Sequence, residues 1–430
     1  MSGAGSSAKY RNPSVVSASP DGTWAAVLDG GNRGNNAIRR LDLTSGVSST
    51  ITGGQGSGFA DGSAQQAKFS SPQGLAVSPD GKWIAVVDSG NDAIRRVDVT
   101  TSVTSTFLGL QTGSGLPAAG GFTDGFAPQK LREVAAAVCS TSKTRASADE
   151  VVSVAIDSST TSLTLTVTHE GSFQGEIEDE RQAFAQKAST FQADIAARLS
   201  IDVSSIRIEC AVSDCAPACC SGTPPLHKVG NSTEVRFVVS NLAPARVNKA
   251  TRLAFSADGT MLVLSDTGNN AVRKLDLVSM TLTTLAGKST GEAGFRNGHA
   301  SNAVLEAPGG VAISADKRIV LIAEAASHSV RRLDLQMGQI STLAGNGSAG
   351  ALNGKAASST FRSPADVSFG PGDSWALVVD KGNTCVWVRG CVGAWVRGCV
   401  GAWVRVRVRV HVCTRVSVCV GAWVFVHVID

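Results

Sequence analysis

Phe69–Gly109 reads FSSPQGLAVSPDGKWIAVVDSGNDAIRRVDVTTSVTSTFLG, and it divides into four short strands. Gly74–Ser78 is apolar and stops at Pro79-Asp80-Gly81, a turn in which Pro presets φ and Gly accepts positive φ. Lys82–Asp88 carries Trp, Ile and Val and ends at Ser89-Gly90-Asn91. Ala93–Asp98 and Val103–Leu108 complete the set, and turns every 8–12 residues predict one small antiparallel sheet. Such a sheet has two apolar faces and needs neighbours of its own kind.

The neighbours are in the sequence. The Asp-Gly turn recurs at Asp21-Gly22 and Asp258-Gly259, and in altered form at Asp316-Lys317 and Gly372-Asp373. The third strand recurs as Ile38–Asp42, Val272–Asp276 and Val330–Asp334. Its first Arg falls at positions 39, 95, 273 and 331, so two separations are close to 57 residues and the middle one is longer by about 121. Four strands per unit at this period predict a β-propeller of four-stranded antiparallel blades. Four blades are recognisable, a fifth is partial, and six are expected in a complete ring. The long interval predicts an inserted domain.

The repeats resemble the NHL family in its long-repeat variety. The motif is Asp-x-Gly-Asn-x-x-Ile-Arg, present as Asp88–Arg95 and Asp266–Arg273, extended at Asp29–Arg39 and begun at Asp380–Asn383. The fourth repeat departs from it with Glu324 and Ser327-His328. The resemblance covers residues 13–125 and 245–383 and implies a propeller fold. It implies little about activity, because repeat propellers carry many functions.

On this reading residues 1–130 hold the first two blades, 131–241 the insert, 242–383 the further blades, and 384–430 a tail of Val, Arg, Gly, Cys and Trp. In the insert, Val151–Ile156, Ser162–His169, Ser205–Val212 and Thr233–Ser240 are expected strands. Phe184, Ala188, Phe191, Ile195 and Leu199 recur at helical spacing behind an acidic start, where the helix dipole favours anions. The order predicts a small α+β module with its helix laid on a sheet. It resembles SEA-like or ferredoxin-like modules.

In the tail, VRGCVGAW occurs twice in succession, at Val388–Trp395 and Val396–Trp403. It back-translates to one eight-base unit read through successive frames. A simple DNA repeat therefore explains it, and the tail is expected not to belong to the native fold. The competing reading is a true strand, since alternating Val suits a pleated sheet. A propeller closes when its last blade meets its first, so further sequence is expected beyond the four blades and a fragment.

Composition limits function. The chain has 430 residues and a formal charge of +4, but the tail alone supplies six Arg against one Asp. The remainder sums to −1, which argues against a nucleic-acid surface. No stretch ahead of the tail has the length of a membrane span or a signal peptide's apolar core. Compartment stays open: the cysteine-bearing insert fits an extracellular setting if a leader precedes this sequence.

Candidate residues each carry two readings. Arg39, Arg95, Arg273 and Arg331 could ring a surface for an anionic partner, or each could pair inside its own blade. Asp29, Asp88, Asp266 and Asp380 could converge on a cation, calcium or zinc, as in gluconolactonase-like (SMP-30) propellers, or each could fix a turn. Cys210, Cys215, Cys219 and Cys220 fit disulfides, zinc ligation with His227, or free thiols. No catalytic motif surrounds any histidine, and the glycine-rich links lack the helix start that cradles phosphate. The expected function is therefore a non-enzymatic scaffold or binding module, without a cofactor, that takes a protein or small ligand on a propeller face. The alternative is a metal-dependent hydrolase or lyase of the gluconolactonase-like group.

Overall fold

The structure, a computed structural model, describes residues 3–4, 8–30, 35–109, 124–126, 163–170, 193, 196–197, 206–210, 228–229, 232–239, 245–288, 290–355, 358–389 and 394–399. The chain divides into two compact units, Met1–Phe122 with Arg246–Asp430, and Thr123–Ala245.

The first unit is a β-propeller built from five sheets, each with a four-stranded antiparallel meander running outward from its first strand, and all but sheet II carry a further two-residue strand at the outer edge. Sheet I comprises Pro13–Ala18, Trp24–Asp29, Ala37–Asp42 and Val47–Gly53. Sheet II comprises Gly74–Val77, Trp83–Asp88, Ala93–Asp98 and Thr104–Leu108. Sheet III comprises Leu253–Phe255, Met261–Asp266, Ala271–Asp276 and Thr281–Ala286. Sheet IV comprises Pro308–Ile313, Ile319–Glu324, Ser329–Asp334 and Gln339–Ala344. Sheet V comprises Pro364–Phe369, Ala376–Asp380, Cys385–Arg389 and Ala394–Cys399. Its two outer strands come from the tail, where alternating apolar residues suit any pleated edge. Residues 400–430 lie outside the described residues.

In sheets I to IV the turn between first and second strands is closed by one hydroxyl, and Gly370 stands at that place in sheet V. Ser78 Oγ donates to Asp80 at 2.5 Å and accepts the Trp83 amide at 3.1 Å. Ser19, Ser256 and Ser314 repeat this with Asp21, Asp258 and Asp316. The hydroxyls hold Asp21, Asp80 and Asp316 below the usual carboxylate range.

Period-two alternation sends one face of each sheet to each neighbour. Trp24, Ala26 and Leu28 of sheet I pack on Leu75, Ile84 and Val86 of sheet II. Met261 and Val263 of sheet III meet Val320 and Ile322 of sheet IV. Leu321 and Ala323 of sheet IV meet Val367, Ala376 and Val378 of sheet V. A fully buried residue of the linking segment fills each of these seams: Phe69, Leu305 and Phe361.

A polar latch joins the sheets in series. The turn after each second strand ends on a residue of positive φ, namely Asn36, Asp92, Asn270, His328 and Thr384. Asn, Asp and His tolerate that region better than most side chains. Asn36 Oδ1 accepts the Ser71 amide at 3.2 Å, Asp92 Oδ1 that of Lys249 at 2.7 Å, Asn270 Oδ1 that of Ala307 at 2.9 Å, and His328 Nδ1 that of Ser363 at 3.1 Å. The Asp92–Lys249 bond makes sheets II and III direct neighbours across the long sequence interval.

The second unit contains Leu163–Glu170, Ile206–Cys210 and Ser232–Val239 paired antiparallel, with Lys228–Val229 added to the last. Residues 193 and 196–197 have helical backbone within the span expected to be helix. The expected strand at 151–156, the start of the helix, and Cys215, Cys219, Cys220 and His227 lie outside the described residues, as does the side chain of Cys210. Among the described residues no helix is long and apolar enough to cross a membrane.

Candidate functional site

The repeated acidic and basic residues meet inside the sheets. A bulge recurs between the third and fourth strands at Ile38/Arg39, Ile94/Arg95, Val272/Arg273 and Val330/Arg331. A bulge re-aims the side chain at its position. Arg95 thereby turns into sheet II, where its Nη1 donates to Asp88 Oδ2 at 2.9 Å, and Nη2 donates to Asp61 Oδ1 at 2.5 Å and Ala60 O at 2.6 Å. Phe59 and Phe69 rings lie 4.7 and 5.1 Å from its guanidinium carbon. Asp88 also accepts the Ser70 amide and the Asn91 side chain, both at 2.7 Å.

The set recurs with local changes. Arg273 pairs with Asp266 at 2.8 Å, and Arg331 with Glu324 at 2.8 Å. The longer Glu324 side chain is served by Ser327 in place of Asn. Asp29 accepts the Arg11 and Asn12 amides and Asn35 Nδ2. Arg39 donates to Ser48 Oγ at 3.2 Å under the Tyr10 ring. Asp380 accepts the Arg362 amide and Asn383 Nδ2, and the place of the repeat's Arg is taken by Trp387. Burial pushes Asp88 and Asp266 up to about 6, opposed by Arg95 on the first and the Asn248 amide on the second, and it raises Glu324 as well.

So Arg95, Arg273 and Arg331 are fully buried and Arg39 is 2% exposed; none lies open on a propeller face. Asp29, Asp88, Asp266 and Asp380 are likewise buried, each bonded to its own sheet and the segment entering it. Among the described residues no group of three or more His, Cys, Asp and Glu could hold a metal ion.

A different set of residues faces the centre. The first strands of sheets I to V line a cavity of about 650 Å3 with Val15, Leu75, Ala76, Leu253, Phe255 and Val367 among others, and the cavity continues over Leu377, Val379 and Val386 on the face of sheet V. Counted four residues before the turn Ser, or its Gly370 counterpart, one register position supplies Val15, Gly74, Arg252, Gly310 and Asp366 in turn. The register of the first strand breaks at this place in sheets I, IV and V.

Arg252 and Asp366 are the charged side chains among the described residues lining the cavity. Arg252 Nε donates to Asp366 Oδ2 at 3.2 Å, bridging sheets III and V past sheet IV. Arg252 Nη1 donates to Gln73 O of the segment entering sheet II and to Thr251 O. Asp366 Oδ1 accepts the Val367 amide at 2.9 Å. The glycines make room: a Cβ on Gly310 would stand 2.4 Å from Asp366 Cα, and one on Gly74 would stand 2.5 Å from Thr251 O. The side chains of Arg252 and Asp366 keep 20% and 38% of their surface exposed. Sequence reasoning anchored on recurring residues missed this pair, because it occupies the position where the repeats disagree. The signal available was that disagreement itself, an Arg and an Asp where other repeats carry Val or Gly.

These features define a repeat β-propeller with a polar pair in its central cavity. No protein-family model matches the chain. It is 27% identical over 299 residues to Protein SUPPRESSOR OF QUENCHING 1, chloroplastic, of Arabidopsis thaliana, an alignment covering 66% of this chain and 27% of that protein. The chain thus spans about a quarter of the length of that relative. Similar solved structures include a chain of a nidogen/laminin complex, at 10% identity, covering 89% of this chain and 77% of that one with a TM-score of 0.43. A streptogramin B lyase structure matches at 11% identity, 92% and 85% coverage and a TM-score of 0.41. An auxiliary nutrient binding protein from Bacteroides thetaiotaomicron matches at 11% identity, 86% and 66% coverage and a TM-score of 0.37.

Proposed function

We propose that this chain is a non-enzymatic binding module that receives a small ligand or a protein segment at the centre of its propeller. The observation that carries the reading is the division of labour among its polar residues. Those that recur are engaged inside the sheets, and the position where the repeats diverge lines a cavity with an apolar wall and a few convergent polar groups, the usual make-up of a ligand site. The four buried arginines serve this module as a scaffold, and the repeated aspartates hold the turns and arginines in place.

The competing enzyme reading requires a divalent metal. A protein that binds a metal only when folded gains stability with metal concentration. The thermal midpoint of the purified chain is therefore expected to be the same in millimolar calcium, in micromolar zinc and in EDTA. A midpoint that rises with either ion and falls with EDTA would replace the binding module by a metal-dependent hydrolase or lyase.

A further inference from the structure

We infer that the central cavity binds an apolar molecule through a single carboxylate, with Arg252 as the group that receives it. The inference rests on the reading of the cavity as a ligand site and gives that ligand its chemistry.

Arg252 is held at two of its three nitrogens, and the third is left open. Its Nε is committed to Asp366, and its Nη1 to Gln73 O and Thr251 O. Its Nη2 donates to no partner among the described residues, although a guanidinium carries five N–H donors in a fixed plane. The three fixed contacts orient that plane, so little side-chain freedom remains to be lost when a ligand arrives. A carboxylate accepts from the Nη2 group with charge assistance, and a neutral oxygen does so more weakly.

The surroundings choose the rest of the ligand. Ser17 Oγ accepts the Val77 amide, Ser256 Oγ closes its turn and Ser368 Oγ donates to Phe369 O. The remaining lining side chains are mainly Val, Leu, Ala and Phe. A phosphate would meet a single partly neutralised cation here, and these side chains offer few groups to a ligand rich in hydroxyls. An aliphatic or aryl-alkyl chain suits them, and a cavity of about 650 Å3 has room for one. Asp366 neutralises part of the charge on Arg252 and weakens its hold on any anion, so a ligand bearing more than one carboxylate is disfavoured.

The test is calorimetric titration of the whole chain with 4-phenylbutyrate and with its neutral isostere 4-phenylbutanamide. The acid is expected to bind about tenfold or more tightly than the amide, as charge-assisted bonds exceed neutral ones. Arg252→Gln is expected to erase that preference, and Arg252→Lys to retain part of it. Circular dichroism on both variants checks that the sheets persist. Should Arg252→Gln fail to fold, Arg252→Lys and Asp366→Asn carry the test, the second by strengthening acid binding. Equal binding of acid and amide, binding of neither, or an unchanged preference in the folded variants overturns the inference. If acid and amide bind equally and Ala76→Trp abolishes both, the cavity remains a ligand site and only the carboxylate assignment fails.

Discussion

Arg95 has no exposed surface, yet it faces two carboxylates, two backbone carbonyls and two aromatic rings. Removing one partner of a buried pair leaves an uncompensated charge, so Arg95→Met is expected to cost about 3–5 kcal/mol in denaturant unfolding. Asp88→Asn combined with Arg95→Met should recover much of that loss, because it removes both fully buried charges and leaves only the partly exposed Asp61. The buried carboxyls also set a pH dependence. Asp88 and Asp266 sit near 6 in the folded chain against an ordinary 3.8, so burial favours their neutral form. Their contribution to stability is full below about 4 and is lost as pH rises through about 6. Asp21, Asp80 and Asp316 are held below 3.8, so theirs is present above that value and lost as pH falls beneath it. The thermal midpoint is therefore expected to peak between about pH 4 and 6. A midpoint that climbs steadily from pH 5 to 8 would contradict these assignments.

At the scale of the element, the latches and the glycines of the first strands are the parts most open to test. Asn270→Ala removes the acceptor of the Ala307 amide and puts Ala at φ 50°, and it is expected to cost about 1–3 kcal/mol. Gly310→Ala forces a Cβ against Asp366 and is expected to cost about 1–3 kcal/mol, as overpacking does. Gly372 has positive φ but open space around it, so alanine there meets backbone strain alone. Much of this scale was legible in the sequence. Strands, Ser-x-Asp turns and the Ile-Arg-Arg-Leu-Asp strand recur, and recurrence reveals whatever every sheet needs. The bulge that turns Arg39, Arg95, Arg273 and Arg331 inward was not legible, since a surface arginine and a buried one have the same letter. The seam residues Phe69, Leu305 and Phe361 read as parts of a link, because only packing between sheets shows what they fill. Arg252 and Asp366 were hidden for the opposite reason: they occur once each, and a search for repetition passes over them.

Across the whole molecule, the repeat makes the scaffold and its exceptions make the site. Sheets II and III are joined by the Asp92–Lys249 latch and by packing of Gly74 on Thr251 and Arg252. A chain in which 131–241 is replaced by a short Gly/Ser linker is therefore expected to unfold cooperatively with its propeller midpoint retained; loss of a cooperative transition would show that the intervening segment is part of the propeller's stability. Two arginines separate scaffold from site, and one comparison tests that division: the unfolding free energy of Arg252→Gln against that of Arg95→Gln. Arg252 is partly exposed and forms a pair of the weakly stabilising kind, so its loss is expected to cost about 1 kcal/mol or less. Arg95 is a buried part of the scaffold, and its loss is expected to cost about 3–5 kcal/mol. Equal losses would mean that Arg252 is one more structural tie between sheets, and the division between scaffold and site would fall.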